Sequence, residues 1–198
     1  MGDAGKGAPT KSIPARRQPK KATAKHLENV ALWYLQRFAA SADSLRRVLL
    51  RRVERSARAH GTDREEGAVL VEDIVARFRA SGLLDDRLYA EGRARSLHRR
   101  GISARAIGVR LRAKGVGADD IDAALAALTD EAPEPDLAAA IAYARRRRIG
   151  PYRTRGDRAE LRERDLAALA RQGFAYDTAR RVIEADNADA LEAEVGGG

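Results

Sequence analysis

The sequence predicts an all-α protein: a tandem array of three three-helix repeats, elongated and curved, preceded by a disordered basic N-terminal tail. Three observations predict it. Apolar residues recur at helical spacing along most of the chain, and no stretch alternates as a strand does. The chain superposes on itself at the spacing of a three-helix unit. The sign of its charge changes with the same period.

The elements follow in order. Leu27, Val30, Ala31, Tyr34, Leu35 and Phe38 fall on one continuous helix face. Leu45, Val48, Leu49 and Val53 form a second, with Ser41 or Asp43 as N-cap. Leu70, Val71, Ile74, Val75 and Phe78 form a third, stopped at Gly82. Asp85 and Asp86 open a fourth helix through Leu88, Tyr89, Ala94 and Leu97, closed by Gly101. Two adjacent carboxylates suit general acid/base chemistry, but at a helix start they satisfy free N–H groups and the positive dipole end, and that structural reading is preferred. Ser103 caps a fifth helix carrying Ile107 and Leu111, and Asp119-Asp120 starts a sixth with Ile121, Ala124, Leu125 and Leu128. After the acidic stretch Thr129 to Asp136 come a seventh helix (Leu137, Ile141, Ala144), an eighth from Leu161 to Ala170 and a ninth from Tyr176 to Ala185. Residues beyond Asp186 read as frayed.

Placing Gly115 on Gly173 puts Leu111 on Leu169, Val116 on Phe174 and Asp119 on Asp177. Placing Ser103 on Ser41 puts Ile107 on Leu45 and Leu111 on Leu49. The expected organisation is a tail over 1–25, repeats over 26–82, 83–130 and 131–186, and a flexible C-terminus over 187–198.

At 198 residues and 44% hydrophobic, the chain can bury a real core. It has no cysteine, no run of eighteen apolar residues and no apolar segment near Met1, so a disulfide scaffold, a membrane span and a secretory signal are not expected. A cytoplasmic location is the default. The net charge of +9 points to a polyanionic partner. Residues 1–25 carry +6 of it, and successive stretches 37–58, 59–86, 87–114, 115–139, 140–181 and 182–198 carry +5, −4, +8, −7, +7 and −5. Five of the six lysines lie in the tail, whereas the body uses arginine, whose fork matches phosphate and carboxylate.

No catalytic or cofactor chemistry stands out. Gly7 to Ser12 imitates a phosphate loop but lacks the glycine before Lys-Ser and the preceding strand. His26, His60 and His98 are far apart in sequence, with no metal-ligand spacing. The residues suggest no nucleophile, base and orienting acid. Trp33, Tyr34, Tyr89 and Tyr143 are expected to pack the core rather than stack on bases. The chain is therefore expected not to be an enzyme, and no cofactor or metal is expected.

The stretch Ser81 to Leu125 resembles the RecX family of recombinase regulators in its LDDxxYA start (Leu84, Asp85, Asp86, Tyr89, Ala90), its Arg-rich helix ending at Gly101 and its LRAKGV turn. AxxYLQRFAASADSLRRVL in the first unit and ALARQGF in the third extend the resemblance over residues 27 to 185. The chain departs from the pattern in the longer VERSARAHGTDREEGAV segment, in Gly108 within the fifth helix, where a close helix crossing is expected, and in the 25-residue tail.

The resemblance implies a non-catalytic array that binds the RecA recombinase filament on single-stranded DNA, with weaker affinity for double-stranded DNA. Such a protein lies along the filament groove, hinders extension or promotes disassembly, and lowers ATP hydrolysis, strand exchange and stimulation of repressor self-cleavage. Its setting is DNA repair, homologous recombination and SOS control. It is expected to act as a monomer and away from membranes. The residues expected to face the filament are Arg93, Arg95, Arg99, Arg100, Arg110, Arg112, Lys114, Arg145, Arg146, Arg147 and Arg148, with Arg16, Arg17, Lys20, Lys21 and Lys25 of the tail in an auxiliary role. Two other readings stay open: a general nucleic-acid binder acting without RecA, and a scaffold that binds a basic protein through its acidic helices.

Overall fold

The computed structural model describes residues 18–196, which form ten α-helices, one 3-10 turn and no strand. The helices are α1 (Ala24–Leu35), α2 (Ala42–His60), α3 (Arg64–Ala80), α4 (Asp86–His98), α5 (Ala104–Arg112), α6 (Ala118–Glu131), α7 (Pro135–Arg147), α8 (Arg162–Arg171), α9 (Tyr176–Glu184) and α10 (Ala188–Gly196), with the 3-10 turn at Gly150–Tyr152. Each of the first five starts on a side chain that accepts a backbone N–H of its first turn: Thr23, Ser41, Asp63, Asp85 and Ser103. Of the two caps proposed for α2, Ser41 serves, and Asp43 instead pairs with Arg46 and Arg47 from the first turn.

The apolar faces close into three separate clusters. Leu27, Leu45, Leu49, Val71 and Ile74 centre the first, built by α1–α3. Leu97, Ile107, Leu111, Ile121 and Leu128 centre the second, built by α4–α6. The third is built by α7–α10 around Ile141, Leu169, Phe174, Ile183 and Leu191. Leu191 is buried there, so the described C-terminal residues form a packed helix rather than the expected flexible end. The N-terminal boundary also shifts. Lys25 lies inside α1, Ala22 donates its N–H to Ser56 Oγ at 2.9 Å, and the Pro19 carbonyl lies 2.6 Å from His60 Nε2. Residues 18–25 are therefore part of the first bundle, and residues 1–17 of the expected tail lie outside the described residues. Leu88 and Phe38, expected on core faces, are exposed.

The bundles meet through one junction used twice. Ser41, fully buried, donates its hydroxyl to the Lys114 carbonyl at 2.5 Å, and the next amide, Ala42 N–H, donates to Asp86 Oδ1 at 2.8 Å. Ser103, equally buried, donates to the Gln172 carbonyl at 2.9 Å, and Ala104 N–H donates to Asp136 Oδ1 at 2.7 Å. In both cases the capping serine of a bundle's second helix reaches the C-terminal turn of the next bundle's second helix. The free amide beside it is taken by an aspartate from the start of that bundle's first helix. A glycine follows each accepting carbonyl. A Cβ on Gly173 would stand 2.6 Å from Ser103 Oγ, and one on Gly115 would run into the Asp43 side chain. Asp85 and Asp86 thus divide their work: Asp85 caps α4, as expected, and Asp86 fastens α4 to α2.

The acidic stretch between the second and third bundles shortens to Ala132–Glu134, since α6 ends at Glu131 and α7 begins at Pro135. It is tied on both sides. Glu131 accepts from Arg95 at 2.5 Å, Glu134 from Arg181 at 2.6 Å, and His98 Nε2 donates to the Pro135 carbonyl at 2.6 Å. Gly108 faces α6, where an added Cβ would lie 3.6 Å from Ile121 and 3.7 Å from Leu125, ordinary contact distances.

Two stability outcomes follow from this packing. Ser103→Ala removes the α5 cap and leaves the Gln172 carbonyl without its donor, so it should cost about 2 kcal/mol in urea unfolding. An unchanged midpoint would contradict the junction. Gly108→Ala should gain about 0.5–1 kcal/mol, because the methyl fits and the helix loses a flexible residue; a loss in the same assay would mean that the crossing has no room.

Candidate functional site

Arginines stand along α4 and α5 because both helices turn most of their apolar residues, Leu88 and Val109 excepted, to the α4–α6 core and leave the remaining faces to solvent. Arg93, Arg99, Arg100, Arg110, Arg112 and Lys114 are all exposed, and none forms an ion pair with an acidic side chain among the described residues. Arg99 and Arg100 follow the last turn of α4, and Arg110, Arg112 and Lys114 end α5, so the negative ends of two helix dipoles favour them. That stabilisation leaves their forks unoccupied.

Arg95 differs from this set. It is half-buried and bridges Glu91 on its own helix to Glu131 at the end of α6, and these carboxylates hold its guanidinium charged. It stitches α4 to α6, whereas the six cations named above have no such partner.

The run at the end of α7 is split the same way. Arg145 lies 3.6 Å from Glu192 of α10, and Arg146 stacks over Tyr143 with its guanidinium carbon 5.7 Å from the ring centre. Arg147 and Arg148 instead line a cleft of about 300 Å³ together with Arg153, Arg164 and Arg171. These last three were not singled out from the sequence. They come from the loop after α7 and from the two ends of α8, and the only hint of them was the +7 carried by residues 140–181.

Of the tail residues, Arg16 and Arg17 lie outside the described residues. Lys21 and Lys25 are exposed, while Lys20 lines a second cationic hollow of about 710 Å³ with His26, Arg52, Arg55 and Arg58. His26 is held below its ordinary pKa, first by burial and then by the charges of Lys20 and Arg52. Trp33, expected in the core, is instead half exposed at 52%, with the Arg37 guanidinium 4.1 Å above its ring. Tyr34 and Tyr89 are partly buried and Tyr143 is buried.

No group of three His, Cys, Asp or Glu side chains placed to hold a metal occurs among the described residues. No helix there is long and apolar enough to cross a membrane.

The fold and this surface define a class: all-helical bundles in series, presenting unpaired arginines suited to phosphate or carboxylate groups. Comparison with known proteins narrows it. Residues 85–125 match the family model described as RecX, second three-helix domain. The regulatory protein RecX of Myxococcus xanthus (strain DK1622) is 45% identical over 189 residues, covering 95% of this chain and all of that protein. Those of Agrobacterium fabrum and Thermobifida fusca are 31% and 36% identical over 155 and 152 residues, covering 78% and 74% of this chain and 80% and 76% of theirs. A crystal structure of regulatory protein RecX shares the fold with a TM-score of 0.56 at 24% identity, over 81% of this chain and 71% of that one. The chain belongs to the RecX family of regulatory proteins.

One pH effect follows from the first bundle. Arg64 and Arg58 both donate to Glu54 and hold its carboxyl down, from an ordinary 4.5 to about 2. The unfolded chain binds this proton more readily, so the contribution is complete above pH 4.5 and fades as pH falls towards 2. Glu54→Gln should flatten the acid limb of a urea-midpoint profile between those values. An acid limb identical to wild type would remove Glu54 as its source.

Proposed function

We propose that this protein regulates RecA recombinase, chiefly as an inhibitor, by binding the RecA–single-stranded DNA filament along its groove. Bound there it limits filament extension and lowers ATP hydrolysis, strand exchange and stimulation of repressor cleavage, in DNA repair and SOS control. It acts in the cytoplasm as a monomer and carries out no catalysis of its own. The observation that carries this reading is the set of six unpaired cations on α4 and α5 and in the turns that follow them, in a chain whose relatives are regulatory proteins of the RecX family. A filament offers phosphates and acidic protein surface together, and arginine forks suit both.

A second reading, a general nucleic-acid binder that needs no RecA, is favoured by the cationic hollows outside this set. Titrating RecA ATP hydrolysis on single-stranded DNA at near-physiological salt, with DNA binding by the protein alone measured in parallel, separates the two. Inhibition well below the concentration that coats bare DNA supports filament recognition. Inhibition only where the DNA is already coated supports the general binder.

Reversing Arg99, Arg100, Arg110 and Arg112 together to Glu should weaken filament binding by at least about tenfold with helicity unchanged by circular dichroism. Arg95→Ala should change it by less than about twofold, because that fork is already occupied. Wild-type affinity in the quadruple variant would sink the assignment. Deleting residues 1–17, which leaves the first bundle whole, should slow association and flatten its salt dependence without loss of filament specificity. Complete loss of inhibition would make those residues a binding element in their own right.

A further inference from the structure

The cleft beside the end of α7 has features that helix packing alone does not require. Its one carboxylate, Asp165, is 2% exposed and already satisfied: Gly150 N–H donates to it at 3.1 Å, and Arg153 Nη2 lies 2.6 and 2.5 Å from its two oxygens. Arg153 is thereby held in place, yet its Nε is buried without a hydrogen-bond partner. Arg147, Arg148, Arg164 and Arg171 line the same cleft and pair with no acidic side chain among the described residues. Four guanidinium charges are left uncompensated around about 300 Å³.

Two of these arginines sit where the fold would prefer something else. Arg164 occupies the first turn of α8, against the positive end of that helix, where a cation is disfavoured. Arg148 is the one non-glycine residue with positive φ among the described residues, at +55°. Four helices finish on the same motif, a left-handed residue followed by a buried apolar residue whose N–H returns five positions to the helix. Ile102 donates to Leu97, Val116 to Leu111, Phe174 to Leu169 and Ile149 to Ala144. In the first three the left-handed residue is glycine (Gly101, Gly115, Gly173), whose φ there costs nothing; only α7 uses an arginine, and that arginine lines the cleft. At those three turns a Cβ would also run into Tyr143, Asp43 or Ser103, whereas the α7 turn is exposed and holds a left-handed arginine whose side chain reaches the cleft.

We propose that this cleft is an anion site that takes a backbone phosphate of a nucleic-acid strand. It deepens the regulatory reading above by assigning the third bundle a strand contact, and it relies on that reading only for the choice of nucleic acid. Phosphate fits better than an acidic side chain. The apolar lining, Tyr143, Ile149 and Ala168, is buried or half-buried, so the groups the cleft exposes are the guanidiniums of Arg147, Arg148, Arg164 and Arg171. One carboxylate is satisfied by one arginine here, as Asp165 shows, whereas a phosphodiester and its neighbours along a strand offer acceptors to several forks.

The test is fluorescence anisotropy of a labelled 15-nucleotide oligothymidylate, without RecA, over a range of salt, with a polyglutamate peptide as the second probe. Arg164→Ala/Arg171→Ala should weaken oligothymidylate binding severalfold and reduce the slope of log affinity against log salt by about 1 to 1.5. Arg148→Gly should raise Tm, by relieving the backbone, and still weaken binding, a combination that a purely structural role does not produce. The proposal is overturned by wild-type affinity and slope in both variants, by no measurable binding of the wild-type protein at low salt, or by losses confined to polyglutamate. RecA ATP hydrolysis assayed on the same proteins keeps the two readings apart. Failure of the wild-type protein to inhibit RecA defeats the regulatory proposal and leaves the oligothymidylate result to decide the cleft.

Discussion

The architecture depends on two buried serine hydroxyls. Ser41 and Ser103 each cap a helix inside one bundle while donating to a carbonyl at a helix end of the next, so a single side chain serves local and long-range structure together. The oxygen accepts from one backbone N–H and its proton goes to one C=O. A buried hydroxyl that is used both ways carries no desolvation debt. Asp86 and Asp136 complete the arrangement by taking the neighbouring amide, one of the donors a helix start otherwise leaves free. Two bundles joined in this manner share hydrogen bonds that need both helix ends in place. The glycine beside each accepting carbonyl removes the Cβ that would hold the surfaces apart.

Electrostatics sorts the cations into two populations. Arg46, Arg58, Arg64, Arg95, Arg162 and Arg181 are each held by a carboxylate and join turns or helices to one another. Exposed pairs of this sort add little individually to stability, so their main effect is to remove those charges from the surface available to a partner. What remains unpaired includes clusters at α4 and α5, at the end of α7 with both ends of α8, and on α2 at Arg51, Arg52 and Arg55. Charge counted along the chain therefore overstates some segments. Residues 37–58 carry +5, yet three of their seven arginines are occupied by Glu54, Glu72 and Asp43.

Most of the secondary structure was legible in the sequence, because helical periodicity and capping residues act over a few positions. Ser41, Asp85 and Ser103 cap the helices they were expected to cap, and the arginines of α4 and α5 were legible as a cluster because they follow each other on two adjacent helices. The ends were harder to read. The Lys- and Pro-containing N-terminal residues resemble a linker by composition, but the Pro19 carbonyl finds a donor and the Ala22 N–H an acceptor on α2, and local composition carries no information about that. The C-terminal residues lack a long apolar stripe, yet Leu191, with Val195 packed against the same cluster, anchors α10 in the third core.

The sequence by itself determined the helical class, the helix starts and the spacing of serine, aspartate and glycine that recurs between units, since each is written in residues close together or repeated at one period. Tertiary structure decided which cations are free, because an ion pair such as Arg95–Glu131 or Arg181–Glu134 joins residues 36 or 47 positions apart. It also decided that Arg153, Arg164 and Arg171 share a cleft with Arg147 and Arg148. Convergence of that sort depends on how a loop and two helix ends pack around one buried carboxylate, and no local pattern in the chain encodes it.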